Sequence, residues 1–127
     1  MKKTILVIED NEKSRFLFED MLSDEGYEVV TAGDGDEVKQ KMVERKQSGK
    51  PFDLLLVDLA VPQFNPIKFI KDNIKTHRIL VISAYMDSFD LKGILKEKWK
   101  IKKPFDNNDL IARVKDRLKE PIKEDNQ

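Results

Sequence analysis

The amino-acid sequence predicts an α/β fold, a doubly wound, five-stranded parallel sheet with helices on both faces. Three observations lead there. Short aliphatic runs alternate with amphipathic stretches in strict order along the chain. Three of those runs, Ile5-Leu6-Val7-Ile8, Leu54-Leu55-Leu56-Val57 and Ile79-Leu80-Val81-Ile82, are apolar at every position, as a strand covered on both faces should be. The 127 residues suit one domain, and 39% apolar residues are enough to fill its core. Right-handed crossovers then wind the helices onto both faces.

The elements follow in order. Ile5 to Ile8 is the first strand. Asn11 to Glu25 reads as a helix, capped by Asn11, ended by Gly26, with Leu17, Phe18, Met21 and Leu22 on its core face and Phe16 opposite. Tyr27 to Thr31 is the second strand. The turn Gly33-Asp34-Gly35-Asp36 opens a second helix that runs to about Lys46, and Ser48-Gly49-Lys50-Pro51 is a loop. Leu54 to Val57 is the third strand, followed by a loop with Pro62 and Pro66 and a helix carrying Ile67, Ile70 and Ile74. His77, the only histidine, reads as a loop residue before the fourth strand at Ile79 to Ile82. Leu91, Ile94 and Leu95 mark a fourth helix, and Trp99 to Lys102 a weak fifth strand. Leu110, Ile111, Val114 and Leu118 mark a last helix that Pro121 closes. Residues 1–121 thus read as one domain and 122–127 as a frayed tail.

Composition narrows the function. The 24 basic and 24 acidic side chains balance, so no overall field favours nucleic acid or an anionic membrane, and direct binding to either is not expected. With no cysteine there is neither a disulfide framework nor a thiolate metal site. The apolar run after Met1-Lys2-Lys3-Thr4 meets Glu9-Asp10 too soon to be a secretory or membrane-spanning segment, and a cytoplasmic protein is expected.

The chemistry collects at the carboxyl ends of the strands, where ligands bind in open α/β sheets. The first strand ends in Glu9-Asp10, the third in Asp58, the fourth in Ser83, and the fifth leads into Lys103-Pro104-Phe105. Taken singly, each has an ordinary reading as a cap, a turn or a surface lysine. Their conjunction at one edge is what points to function. Converging carboxylates repel one another and suit Mg²⁺, a hard cation that can also ligate a phosphoryl oxygen. Asp58 can then act as an in-line nucleophile, with a hydrogen bond from Ser83 and a point charge from Lys103 to the phosphoryl oxygens.

With these residues in place, the sequence resembles the receiver domain of two-component response regulators over nearly its whole length. Ile5 to Glu12 looks like the family's first strand and acidic pair, and Leu54 to Pro62 like its phosphoacceptor strand. Val81-Ile82-Ser83-Ala84 looks like the hydroxyl-switch strand and Lys103-Pro104-Phe105 like the lysine motif. The resemblance implies a flavodoxin-like receiver fold with strand order 2-1-3-4-5. It also implies phosphorylation of Asp58 by a histidine kinase or histidine phosphotransfer protein. Mg²⁺ would be held by Asp10, Asp58 and the Ala60 carbonyl, with Glu9 acting through water, and the Lys103–Pro104 bond would be cis. Such a domain is a phosphoacceptor rather than an enzyme and switches a surface read by a downstream protein. The chain departs from the pattern in four places. Its acidic pair is Glu-Asp, Asn65-Pro66 replaces the usual glycine, and the stretch from Ser83 to Lys103 is short. Lys100 stands where many members carry an aromatic switch residue.

Two further expectations concern surfaces. Trp99, beside Lys100, either packs as core or serves with Lys100 as the output switch. Phe16, next to the acidic pair, is a candidate docking anchor for the phosphodonor. The rival reading is a pseudo-receiver, never phosphorylated, that binds partners constitutively. Enzymes and carriers on similar sheets fit less well. A nucleotide hydrolase wants a glycine-rich loop where Glu9-Asp10-Asn11-Glu12 stands. An aspartate-nucleophile phosphatase wants an acid where Ala60 stands, and a flavin carrier wants hydroxyls and glycines in the first loop.

Overall fold

A computed structural model describes residues 2–85 and 91–122. The order of elements is β1 (Thr4–Ile8), α1 (Glu12–Asp24), β2 (Glu28–Ala32), α2 (Gly35–Gln47), β3 (Leu54–Asp58), α3 (Pro66–Asn73), β4 (Ile79–Ser83), β5 (Lys100–Lys102) and α4 (Asn107–Lys119). The five strands form one parallel sheet in the order β2-β1-β3-β4-β5. β1, β3 and β4 are buried at every position, as their unbroken apolar runs require. Of the expected tail at residues 122–127, all but the first residue lie outside the described residues.

Local chemistry sets the helix ends. Asn11, Asp34, Asn65 and Asp106 each accept a backbone N–H of the first turn that follows, which satisfies donors the helix itself cannot pair. The start of α2 is tied to the loop after β3. The Gly35 N–H donates to the Pro62 carbonyl at 3.0 Å, and a Cβ on residue 35 would fall on the Gln63 carbonyl oxygen. Only glycine fits that approach.

Three expectations are corrected. The fourth helix at Leu91, Ile94 and Leu95 is absent, and no α-helix lies between β4 and β5 among the described residues. The Leu91 carbonyl accepts from Ile94 and Leu95 in a single turn, and Gly93 at φ +74° breaks any continuation. Leu91 and Leu95 are still buried, so the apolar spacing reported burial correctly and the helix wrongly. Trp99 lies not on β5 but in a 3₁₀ turn, Glu97–Trp99, just before it. Leu17 is 49% exposed rather than on the core face. The buried stripe runs through Phe18 and Leu22, one turn apart, with Met21 partly buried beside them, and Leu17 sits about 100° around the helix from Phe18.

Candidate functional site

β1 and β3 are neighbours in the sheet, with Ile8 opposite Val57, so the residues that follow them emerge side by side. The carboxylates of Glu9, Asp10 and Asp58 offer oxygens that lie within 4.8 Å of one another. Glu9 and Asp58 are buried and Asp10 is exposed. β5 delivers the cation. The Lys103 N–H donates to the Ser83 carbonyl, and its ammonium reaches Asp58 Oδ2 at 2.7 Å and Glu9 Oε1 at 3.2 Å. The Lys103–Pro104 bond is cis, as expected. Asp58 Oδ1 accepts the Ala60 N–H at 2.9 Å. Ser83 is fully buried, and its Oγ accepts the Tyr85 N–H at 2.9 Å. Glu9, Asp10, Asp58 and Lys103 therefore meet at the strand ends, and Ser83 ends the neighbouring strand β4.

The charges are unevenly shared. Burial pushes the Glu9 carboxyl up to about 7, helped by the Asp58 carboxylate and opposed by Lys103. Burial also works against ionisation of Asp58. Its contacts with Glu9, the Ala60 N–H and the Lys103 ammonium outweigh that and hold it below the usual carboxylate range. Lys103 is held above the usual lysine value because its carboxylate partners outweigh its own burial. One ammonium thus serves two buried carboxylates, and Glu9 holds its proton well above the pH at which a free carboxyl releases it. Glu9 Oε2 is buried with no hydrogen-bond partner. An orphaned carboxylate oxygen beside two further carboxylates is a donor set that a hard divalent cation fits.

Two supporting features were not legible as site residues. Arg15 on α1 donates from Nη1 to the carbonyls of Glu9 at 3.0 Å and Asp10 at 2.8 Å, holding the backbone of the acidic pair. Nothing in its spacing distinguishes it from a surface arginine. Phe18 stacks on Phe105 with ring centroids 5.8 Å apart, which ties α1 to the segment after Lys103.

The model of the response regulator receiver domain family matches residues 5–115. The chain belongs to this family. Among its relatives is the transcriptional regulatory protein CrdR of Helicobacter pylori, 34% identical over 122 residues, which cover 91% of this chain and 54% of that protein. The polar-differentiation response regulator DivK of Brucella anthropi is 30% identical over 96 residues, 73% of this chain and 72% of that protein. The alkaline phosphatase synthesis transcriptional regulatory protein PhoP of Bacillus subtilis is 33% identical over 120 residues, covering 91% of this chain and 48% of PhoP. The chain spans about half the length of the two transcriptional regulators. A CheY-like receiver domain structure from Methanospirillum hungatei superimposes with a TM-score of 0.78 at 24% identity, covering 98% of this chain and 99% of that one, which shows the shared fold.

Within this receiver domain the surface candidates fall as follows. Phe16 is 62% exposed on α1. Trp99 is buried, with the Arg117 guanidinium carbon and the Lys98 ammonium each 4.8 Å from its ring centroid. β5 pairs in regular register, Lys100 opposite Val81 and Lys102 opposite Ser83, so no shift of strand brings the ring across. The Lys100 ammonium pairs with Glu97 at 3.3 Å. His77 lies in the turn after α3, as expected, half-buried and with its pKa lowered by that burial. No helix among the described residues is long and apolar enough to cross a membrane.

Proposed function

We propose that this receiver domain accepts a phosphoryl group on Asp58 from a phosphohistidine of a histidine kinase or histidine phosphotransfer protein, in the cytoplasm and with Mg²⁺. The observation that carries this reading is the Lys103 ammonium, 2.7 Å from Asp58 Oδ2 within a cluster of three carboxylates. An Asp58 oxygen forms the new O–P bond as the N–P bond of the donor breaks and its electron pair returns to the imidazole. Asp10, Asp58 and the Ala60 carbonyl would hold the metal, with Glu9 acting through water. Bound there, the cation supplies neutralisation of the carboxylates and of the charge on the phosphoryl oxygens. Lys103 pairs with one phosphoryl oxygen. Ser83 already accepts the Tyr85 N–H and keeps its own proton to donate to another.

Ala60, two residues after Asp58, provides no acid for turnover on outside substrates. The domain is therefore read as a phosphoacceptor that assists its own phosphorylation and dephosphorylation, over residues 1–121. Its output passes through protein contact rather than direct contact with nucleic acid, with Trp99 and Lys100 as the candidate reporting residues. Phe16 is the candidate anchor for the donor. Phe16→Ala should slow transfer from the partner and leave labelling by a small phosphodonor unchanged.

The direct test is intact-mass measurement after incubation with acetyl phosphate. One phosphoryl group per chain is expected with Mg²⁺ and none with EDTA or in Asp58→Asn. Equal labelling of Asp58→Asn would overturn the assignment. An unlabelled wild type would leave the domain as a constitutive binding module.

A further inference from the structure

The groove between α2 and α3 takes no part in the reading above. At the end away from the carboxylates it opens to about 490 Å³. Its floor is apolar, made by Met42 and Val43 of α2 and by Phe52 just before β3. Val43 is 55% exposed, one of few large apolar side chains on the described surface that are so open. The rim is basic. Arg45, Lys46 and Lys50 line it, and no carboxylate among the described residues does. In the adjoining cleft Lys2 and Lys3 join Arg45 and Lys50, facing only Glu28 and Asp53.

Arg45 is the most telling of these. Its guanidinium carbon lies 5.2 Å from the centroid of the Phe52 ring, and its Nε is buried with no hydrogen-bond partner. A guanidinium held against a ring keeps its terminal in-plane N–H groups for a carboxylate, and the buried Nε lies beneath them, out of reach of a docked partner. A bland explanation exists for part of the pattern, since Arg45 and Lys46 complement the carboxyl end of the α2 dipole. It does not account for Lys50, which lies beyond the helix, or for the exposed apolar floor.

We propose that this end of the α2–α3 groove binds an acidic amphipathic segment of a partner protein, with apolar anchors on Met42, Val43 and Phe52 and carboxylates on Arg45, Lys46 and Lys50. Charge complementarity selects the occupant. A nucleic-acid backbone would use the cations and leave the apolar floor unfilled. An anionic bilayer is met by a broad exposed apolar face, and of the three apolar residues here only Val43 is exposed. The site is separate from Asp58, so its occupancy and the phosphorylation reading stand or fall independently.

The test uses the full chain and a fluorescein-labelled peptide of roughly 14 residues, with leucine at helical spacing and glutamate between, followed by anisotropy at low ionic strength. Binding is expected, with amide shift changes centred on Met42, Val43 and Phe52. The double variant Lys46→Glu/Lys50→Glu, at two exposed positions that should not disturb folding, is expected to weaken it by about tenfold or more. That variant should in turn bind the matching leucine–lysine peptide better than wild type does. Val43→Asp should abolish binding while acetyl phosphate labelling stays intact. Several outcomes would overturn the proposal. They are no peptide binding, binding indifferent to the charge reversal, or tighter capture of a single-stranded oligonucleotide or phosphatidylserine vesicles through the same residues. Concentration-dependent self-association lost in Val43→Asp would likewise overturn it, by making the groove a contact between copies.

Discussion

The connections on the two sides of the sheet are built differently. From β1 to β4 each crossover is an α-helix, and the pairing of β1 with β2 runs through five residues, Thr4 to Ile8. From β4 to β5 the described residues form an isolated turn and a 3₁₀ turn, and the ladder holds only Val81, Ile82 and Ser83. Glu9, Asp10 and Asp58 hang on the first half, while Lys103 and the candidate reporter Trp99 hang on the second. A carboxylate cluster must hold its geometry against its own repulsion, so it belongs on long buried strands. A group that answers a change of charge at Asp58 does better on a lightly tied strand, where few backbone bonds resist a shift.

The contrast can be broken by core truncation. Leu56→Ala, at a fully buried position in the middle of β3, should cost about 3–4 kcal/mol in urea unfolding. Leu95→Ala, in the β4–β5 connection, should cost about 2 kcal/mol, because the thinly tied segment can settle into the gap. Equal costs would mean that the two halves are equally rigid.

Glycine substitutions probe the same difference. Gly35→Ala puts a methyl group onto the Gln63 carbonyl in the loop that follows Asp58, and should cost about 2–3 kcal/mol. Gly93→Ala meets no atom within 4 Å and carries only the penalty of φ +74°, about 1 kcal/mol. Thermal melts of the two variants should rank in that order.

A pH series sharpens the account of the carboxylate half. A carboxyl whose folded-state pKa lies above its unfolded value holds its proton more tightly when folded. Its contribution to stability is greatest below the unfolded value and is lost as pH rises. For Glu9 the loss falls between 4.5 and about 7. Asp58 works with the opposite sign, but below 3.8, and His77 opposes Glu9 below 6.5. Metal-free wild type should therefore lose on the order of 1–3 kcal/mol relative to Glu9→Gln between about pH 5 and about pH 8. A pH-independent difference between the two proteins would refute the proton assignment.

The smallest effect concerns Trp99. If the second half responds to Asp58, tryptophan emission should change by roughly a tenth or more when Mg²⁺ and beryllofluoride saturate the site, beyond the change with Mg²⁺ alone, since an indole beside two cations senses small shifts. Unchanged emission at full occupancy would leave Trp99 as packing between β5 and α4.

What the sequence determined by itself was everything carried by local pattern. Unbroken aliphatic runs make strands that must be buried on both faces, and alternation with amphipathic stretches makes the sheet parallel. The residue ending each run then lands at one edge, which is why Glu9, Asp10, Asp58, Ser83 and Lys103 were legible in advance. The tertiary structure decided what depends on where separate segments meet. The spacing of Leu91, Ile94 and Leu95 could signal burial but not a helix, because Gly93 takes a left-handed turn and the sheet accepts the side chains from it. Leu17 shares its apolar character with Phe18, and only the direction from which the sheet approaches α1 leaves it in solvent. Arg15 gained a role because its guanidinium reaches two carbonyls beyond the start of its own helix. The proton on Glu9 depends on burial and on the Asp58 carboxylate, against the pull of a lysine 94 residues away, and the basic mouth of the α2–α3 groove on Phe52 folding beneath Arg45. Periodicity records which side of a residue is apolar. Charge pairing and concavity are set by distances between segments, and those exist only once the chain has folded.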